Sequence, residues 1–263
     1  MKEDIMPVDY STVTELAGDE ITQEQLERLC HRYYWAGSYC KDKDVLEAAC
    51  GTGPGLGYIS GLANSLIAGD YDNGILEIAR RHYGGRIDLC QFDAQNTPFE
   101  DNSFDVVILF EAIYYLPSAK SFVKECKRVL RDGGFVLIAT ANKDLYDFNP
   151  SPYSHAYYGT VELDDLFADQ GFAVECFGYL SVRDVSMRQR VLRPIKKLAV
   201  ELGLMPKSTR GKKWLKRVVF GHMTTMPAEI DAGMAPYTPP VPVSVTEPDR
   251  EHKVVYCAAR LSK

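Results

Sequence analysis

Residues 44 to 57 constrain this chain more than any other stretch: Asp44-Val45-Leu46 runs directly into Glu47-Ala48-Ala49-Cys50-Gly51-Thr52-Gly53-Pro54-Gly55-Leu56-Gly57. A short apolar run with an acid near its end reads as a buried parallel strand, and the glycines after it read as a tight turn that opens a helix. Strand, glycine turn and helix make a nucleotide-cradling unit. The turn needs glycine because a Cβ would block either positive φ angles or the close approach of a ligand to the backbone. The helix beyond it points unpaired N–H groups at that ligand. The dinucleotide fingerprint Gly-x-Gly-x-x-Gly fails in each register: starting at Gly51 it meets Leu56, at Gly53 Tyr58, and at Gly55 Ser60. A nicotinamide oxidoreductase is disfavoured on that ground.

What stands there instead is acid-x-x-Cys-Gly-x-Gly-x-Gly, with Glu47, Cys50, Gly51, Gly53 and Gly55 in those places. The pattern resembles motif I of the class I S-adenosylmethionine (SAM) dependent methyltransferases. Residues 65–69 read as a second buried strand ending at Asp70. An acid there, roughly 20 residues beyond the glycines, is where a nucleotide fold places its ribose acceptor, because a carboxylate accepts from both vicinal hydroxyls. Asp72 takes that role if the strand runs two residues longer, but the helical pattern resuming at Ile75, Leu76, Ile78 and Ala79 favours Asp70. Tyr71 then lies beside the adenine. Residues 86–92 alternate as a third strand ending at Asp93-Ala94, and Asp93-Ala94, Pro98-Phe99 and Phe104-Asp105-Val106-Val107 follow in an order very similar to that of the same family. The resemblance implies that Asp93 accepts from the adenine amino group while the next backbone N–H, that of Ala94, serves a ring nitrogen. It also implies that the segment before the first strand, with Arg32 and Tyr33, covers the carboxylate end of the cofactor. Phe110, ending a fourth strand at 104–110, completes the expected cofactor set of Tyr33, Glu47, Gly51, Gly53, Asp70, Tyr71, Asp93, Ala94 and Phe110.

The rest of the chain supports an α/β fold: a doubly wound, seven-stranded sheet, mostly parallel, with an antiparallel last strand. Thr22-Gln23-Glu24-Gln25 has capping-box form, and Leu26, Leu29, Cys30 and Tyr33 share a face of the helix it starts. The cluster His31-Arg32-Tyr33-Tyr34-Trp35 is expected to pack partly on the sheet. Phe122, Val123, Cys126, Val129 and Leu130 make a further helix amphipathic up to Gly133-Gly134, a fifth strand follows at 135–140, and Thr160 caps a helix leading to a sixth strand at 172–179. The run 253–260 supplies the last strand. Asn149-Pro150-Ser151-Pro152-Tyr153 resembles the Asn-Pro-Pro-Tyr signature of amide N-methyltransferases, but it has an extra serine and follows the fifth strand instead of the fourth, so it reads as a proline-restricted loop.

The expected organisation is an arm and covering helix at 1–43, a SAM-binding core at 44–181, a basic helical insertion with a proline-rich strap at 182–250, and a last strand at 251–263. The insertion leaves the sixth strand on the cofactor face. Helical spacing at 194–202 and 214–219, with Arg188, Arg190, Lys196, Lys197, Lys212, Lys213, Lys216 and Arg217, makes it basic within a chain of net charge −6. A basic run is most often a solvated helix face; its sharper reading is attraction to an anionic glycan carrier, a membrane surface or RNA. Net acidity argues against a whole-chain nucleic-acid binder. The 263 residues contain 46% hydrophobic and 25% charged residues, ordinary globular values, with no apolar run of spanning length and no secretory signal at Met1-Lys2-Glu3-Asp4. The expected location is the cytoplasm. Seven cysteines in no metal-ligand spacing read as reduced thiols and suggest no metal.

The resemblance implies methyl transfer to an acceptor, here expected to be a small molecule or glycan attacked at oxygen. Oxygen acceptors must lose a proton, and base candidates on the loops after the fourth and fifth strands are Glu111, Tyr115, Asp144 and His155, of which His155 has the most suitable intrinsic pKa. An RNA methyltransferase using the insertion and a non-catalytic SAM-binding protein are the alternatives.

Overall fold

Alternation of short apolar strands with amphipathic helices sets the architecture of the computed structural model, which describes residues 14–151, 153–183 and 223–262. The strands are β1 (Glu20–Thr22), β2 (Asp44–Ala48), β3 (Ser65–Asp70), β4 (Asp88–Gln91), β5 (Phe104–Phe110), β6 (Leu130–Ala141), β7 (Phe172–Ser181), β8 (Met223–Thr225), β9 (Val241–Val243) and β10 (His252–Leu261). The helices are α1 (Gln23–Cys40), α2 (Leu56–Ser60), α3 (Asn73–Tyr83), α4 (Ala119–Val129) and α5 (Thr160–Ala168). One sheet of eight strands has the order β4-β3-β2-β5-β6-β10-β7-β9, and β1 pairs with β8 in a separate ribbon. The pairs joining β4 through β6 are parallel, and β10 enters antiparallel between β6 and β7. From β2 the chain works outward through β3 and β4, then resumes on the other side of β2 with β5. The crevice at that switch point, outside the carboxyl ends of the strands, is where open α/β sheets bind ligands.

Both faces of the sheet are covered, so its central strands are apolar throughout. Along β5, Val106, Ile108 and Phe110 pack into the cluster under α1, while Val107 and Leu109 pack into the cluster under α4 and α5. That alternation is the period of two of a strand. Thr22 and Gln25 form a reciprocal capping box that fixes the start of α1, worth about 1 kcal/mol. The aromatic cluster on α1 divides between two neighbours. Trp35, Tyr256, His31 and Tyr179 stack in one column, with the His31 and Tyr179 ring centroids 3.5 Å apart. His31 also bonds Tyr256 Oη through Nδ1 at 2.9 Å and donates from Nε2 to the Thr238 carbonyl at 2.8 Å. Burial pushes its pKa down to about 4, so the ring is neutral and structural. Tyr33 turns the other way, toward the glycine turn.

Several expected boundaries move. The fifth expected strand begins at Leu130, because Leu130 pairs with Phe104 and a register shift lets β6 continue through Gly133, which has φ +76°. The third expected strand, read over 86–92, is confined to 88–91. The sheet gains an eighth strand, since part of the expected strap pairs with β7 as β9. Pro242 is tolerated there because β9 is an edge. The helices expected at 194–202 and 214–219, with nearly all of the basic residues of the insertion, lie outside the described residues. All seven cysteines are free thiols, six of them buried and Cys90 half-buried. No helix among the described residues is long and apolar enough to cross a membrane.

Candidate active site

A cavity of about 540 Å³ opens at the carboxyl ends of β2, β3 and β5, within the usual range for small-molecule sites. Its floor is the turn after β2, where Ala49, Gly51 and Gly53 have φ of +53°, +60° and +76°. Three left-handed residues so close together fold the chain back over the strand end and leave the Gly51 amide facing Asp70. Gly55 has a different reason to lack a side chain: a Cβ there would enter the Tyr33 ring. Glycine at 55 therefore lets α1 lay Tyr33 across the turn, and the Tyr33 hydroxyl then donates to Glu47 Oε1 at 2.6 Å.

One end of the cavity holds two buried opposite charges. Glu47 is 2% exposed, and its Oε2 has no partner among the described residues. Burial outweighs the Tyr33 hydrogen bond and the nearby Arg32 charge, raising its pKa from 4.5 to about 7. Arg32, 7% exposed, pairs with Glu15 of the N-terminal arm and leaves its Nε unpartnered. The arm is pinned in turn by Thr52, whose hydroxyl donates to the Glu15 carbonyl at 2.8 Å. A carboxyl raised on folding favours the folded state fully below its unfolded pKa, and the contribution disappears as pH rises through its folded pKa. The ligand-free protein is thus expected to lose on the order of 3 kcal/mol between pH 4.5 and about 7 relative to Glu47→Gln. Thermal melts of the two proteins across that window check it; parallel curves would contradict it.

In the middle of the cavity Asp70 ends β3. Its Oδ2 accepts from the Gly51 amide and its Oδ1 from the Asp72 amide, both at 2.9 Å. Burial raises its pKa, and those two amides oppose the rise. Asp72 is occupied elsewhere, capping α3 through the Gly74 and Ile75 amides. The choice between the two aspartates is thereby made in favour of Asp70 as the acid facing the cavity. Tyr71 lies alongside with 67% of its surface exposed. Beyond it Asp93 is fixed by the Gln95 amide at 2.8 Å, and Ala94 is buried next to it.

At the opposite rim Phe110 meets the edge of Tyr33, and Glu111 follows with φ +50°. A left-handed glutamate costs about 1 kcal/mol or more and turns the side chain off the strand end into the cavity. There Arg28 donates to Glu111 Oε1 at 3.2 Å and the Tyr114 hydroxyl to Oε2 at 3.1 Å. Tyr114 stacks on Tyr157 at 4.4 Å, and Tyr115 is hydrogen-bonded to Ser151 at 2.6 Å.

Tyr33, Glu47, Gly51, Asp70, Tyr71, Asp93, Ala94, Phe110, Glu111 and Tyr115 all line this cavity. Gly53 does not; it shapes the turn, its carbonyl accepting from the Tyr83 hydroxyl at 2.6 Å. His155 is exposed and outside the lining, joined to the rim through its backbone amide, which donates to the Tyr114 carbonyl at 2.7 Å. Asp144 also lies off the cavity, paired with Lys143. Among the lining residues that the motifs do not announce are Thr14, Glu15, Gln25 and Arg28. Gln25, Arg28 and Arg32 sit at i, i+3 and i+7, a polar stripe beside the apolar face of α1, and that spacing was the available signal.

Residues 46–138 match the family model described as a methyltransferase domain. This domain belongs to the class I SAM-dependent methyltransferase family. A probable SAM-dependent methyltransferase from Mycolicibacterium smegmatis is 36% identical over 153 residues, 57% of this chain and 56% of the relative. Phthiotriol/phenolphthiotriol dimycocerosates methyltransferase 1 of Mycobacterium ulcerans is 42% identical over 101 residues, 36% of each chain. The chain spans about half the length of the first of these relatives, and less of the second. The YcgJ protein of Bacillus subtilis has the same fold, with TM-score 0.58, 16% identity, and coverage of 89% of this chain and 99% of its own. The methyltransferase match runs from β2 into β6, the strands that carry Glu47, Asp70 and Glu111.

Proposed function

We propose that the protein transfers a methyl group from SAM to a hydroxyl of a small-molecule or glycan acceptor. When bound, SAM supplies an electrophilic methyl on a sulfonium. The residues of the cavity fit its parts. Asp70 keeps acceptor capacity beyond its two backbone amides and would hold the ribose diol, with Tyr71 against the adenine and Asp93 and the Ala94 amide at its edge. Glu47, with one carboxyl oxygen unpartnered, and Arg32 stand at the end that would take the amino-acid part.

The observation that carries the oxygen assignment is the Arg28–Glu111–Tyr114 network at the rim. An acceptor hydroxyl there donates to Glu111, which takes the proton as the oxygen attacks. Arg28 and Tyr114 hold the carboxylate in place, so that no side-chain motion is needed at that step. The tyrosines of the rim wall off water and present flat faces to a sugar ring or a hydrocarbon. The relatives named for triol dimycocerosates, which carry hydroxyls by name, support the same choice of atom.

Incubating the purified protein with tritiated SAM and panels of hydroxylated small molecules, oligosaccharides, lipid alcohols and RNA tests this reading. Label on a hydroxyl-bearing acceptor supports it. Label on nitrogen or on RNA alone overturns the acceptor assignment, and failure of the folded protein to bind S-adenosylhomocysteine (SAH) overturns the whole.

A further inference from the structure

The buried guanidinium of Arg32 is held by an acid that comes from outside the methyltransferase core. Glu15 sits on the N-terminal arm, the Glu15 carboxylate pairs with Arg32, and the arm is tied to the glycine turn through Thr52. Both the Glu15 and Arg32 side chains line the cavity at the end where Glu47 Oε2 is left without a partner. The Arg32 side chain is 9% exposed, whereas that of Glu15 is 38% exposed. The arginine is therefore fixed in the wall, and the glutamate is free to leave toward solvent. An arginine is planar and binds a carboxylate through paired N–H groups; Glu15 holds the two terminal nitrogens of Arg32 and Nε is buried, so the edge that Glu15 occupies serves one carboxylate at a time.

We infer that Glu15 occupies on Arg32 the place of the carboxylate of an incoming amino-acid-bearing nucleoside, which makes the arm a built-in competitor that the ligand displaces. This rests on the functional reading above and adds a gate to it. The gate selects for the amino-acid tail: a nucleoside lacking that tail meets Asp70 and Tyr71 but has nothing to exchange with Glu15. Two features fit the exchange. With Glu15 in place, Arg32 is neutralised in its buried setting, where a lone charge is costly. Once the ligand carboxylate replaces Glu15, the same neutralisation persists and the ligand's ammonium supplies the partner that Glu47 Oε2 lacks.

Calorimetric titration separates the ligand's tail from its nucleoside. SAH carries the amino-acid tail, and 5′-methylthioadenosine is its counterpart without that tail. The expected result is that Glu15→Gln tightens SAH roughly tenfold, by removing the competitor from a two-state closure, while 5′-methylthioadenosine binds within about twofold of wild type. Glu15→Asp, which keeps the charge, is expected to lie between the two. A thermal melt of each variant shows that it is folded, and the melt of Glu15→Gln is expected to start below wild type and to recover more than wild type on adding SAH. Equal gains for both ligands, or weaker SAH binding in Glu15→Gln, would overturn the inference and leave the SAM reading intact. No binding of either ligand to folded wild type would remove both.

Discussion

Replacing Asp70 by alanine is expected to weaken SAH binding by roughly 10²- to 10³-fold. Hydrogen bonds from hydroxyls to a buried carboxylate contribute about 1.5–3 kcal/mol each, and about 1.4 kcal/mol is a factor of ten; two vicinal hydroxyls on one carboxylate reach the quoted range after desolvation is subtracted. The substitution also strips an acceptor from the Gly51 and Asp72 amides, so the melting temperature falls as well. Asp70→Asn retains one acceptor oxygen and is expected to lose about tenfold. Calorimetry with SAH on the three proteins, each confirmed folded, reads the effect. An Asp70→Ala variant that binds SAH as tightly as wild type would move the ribose elsewhere in the cavity.

The second large effect belongs to Glu111→Gln. An amide has nearly the shape of the carboxylate, can still meet Arg28 and Tyr114, and cannot take up a proton. With an acceptor from the tritium survey, kcat is expected to fall by roughly 10²- to 10⁴-fold while SAH affinity changes little, because Glu111 faces the acceptor side of the cavity. Arg28→Met is expected to lower kcat less, since the acid keeps its chemistry but loses a side chain that holds it in place. His155→Ala is expected to leave kcat within about twofold, in keeping with a ring outside the cavity lining. Full activity in Glu111→Gln, or a collapse in His155→Ala, would transfer the proton-accepting role from one residue to the other.

The parts of this site that the sequence announces are those fixed by local periodicity. Glu47, Asp70 and Asp93 stand at or near the ends of short apolar strands, and the sheet needs no further information to bring strand ends together. The capping box at Thr22 is legible for the same reason, since its partners are three residues apart. Arg28 and Glu15 are not legible in this way: their partners, Glu111 and Arg32, are 83 and 17 residues distant, and which face of α1 turns toward the cavity depends on the docking of Tyr33 over Gly55. The short strands β1, β8 and β9 escape a periodic reading because three residues hold too little alternation and, in β9, because proline argues against a strand until its edge position is known. His155 was favoured by the intrinsic chemistry of imidazole, a property of the residue that carries no information about where its loop turns the ring.

The position of β10 has a consequence for the order in which the molecule is assembled. β10 hydrogen-bonds to β6 on one side and β7 on the other, and it is synthesised after every other described strand of the sheet. Until then two long strands present open edges, which are templates for pairing with other chains. The helix that roofs the cavity waits as well: Tyr34 donates to the Asp231 carbonyl 197 residues away, and His31 reaches Thr238 across 207. Contacts of such separation slow folding. A nascent chain thus carries every acid of the binding cavity long before it has the tie that holds the roof, and a fragment ending near residue 181 has the full set of motif residues without a closed sheet to hold them.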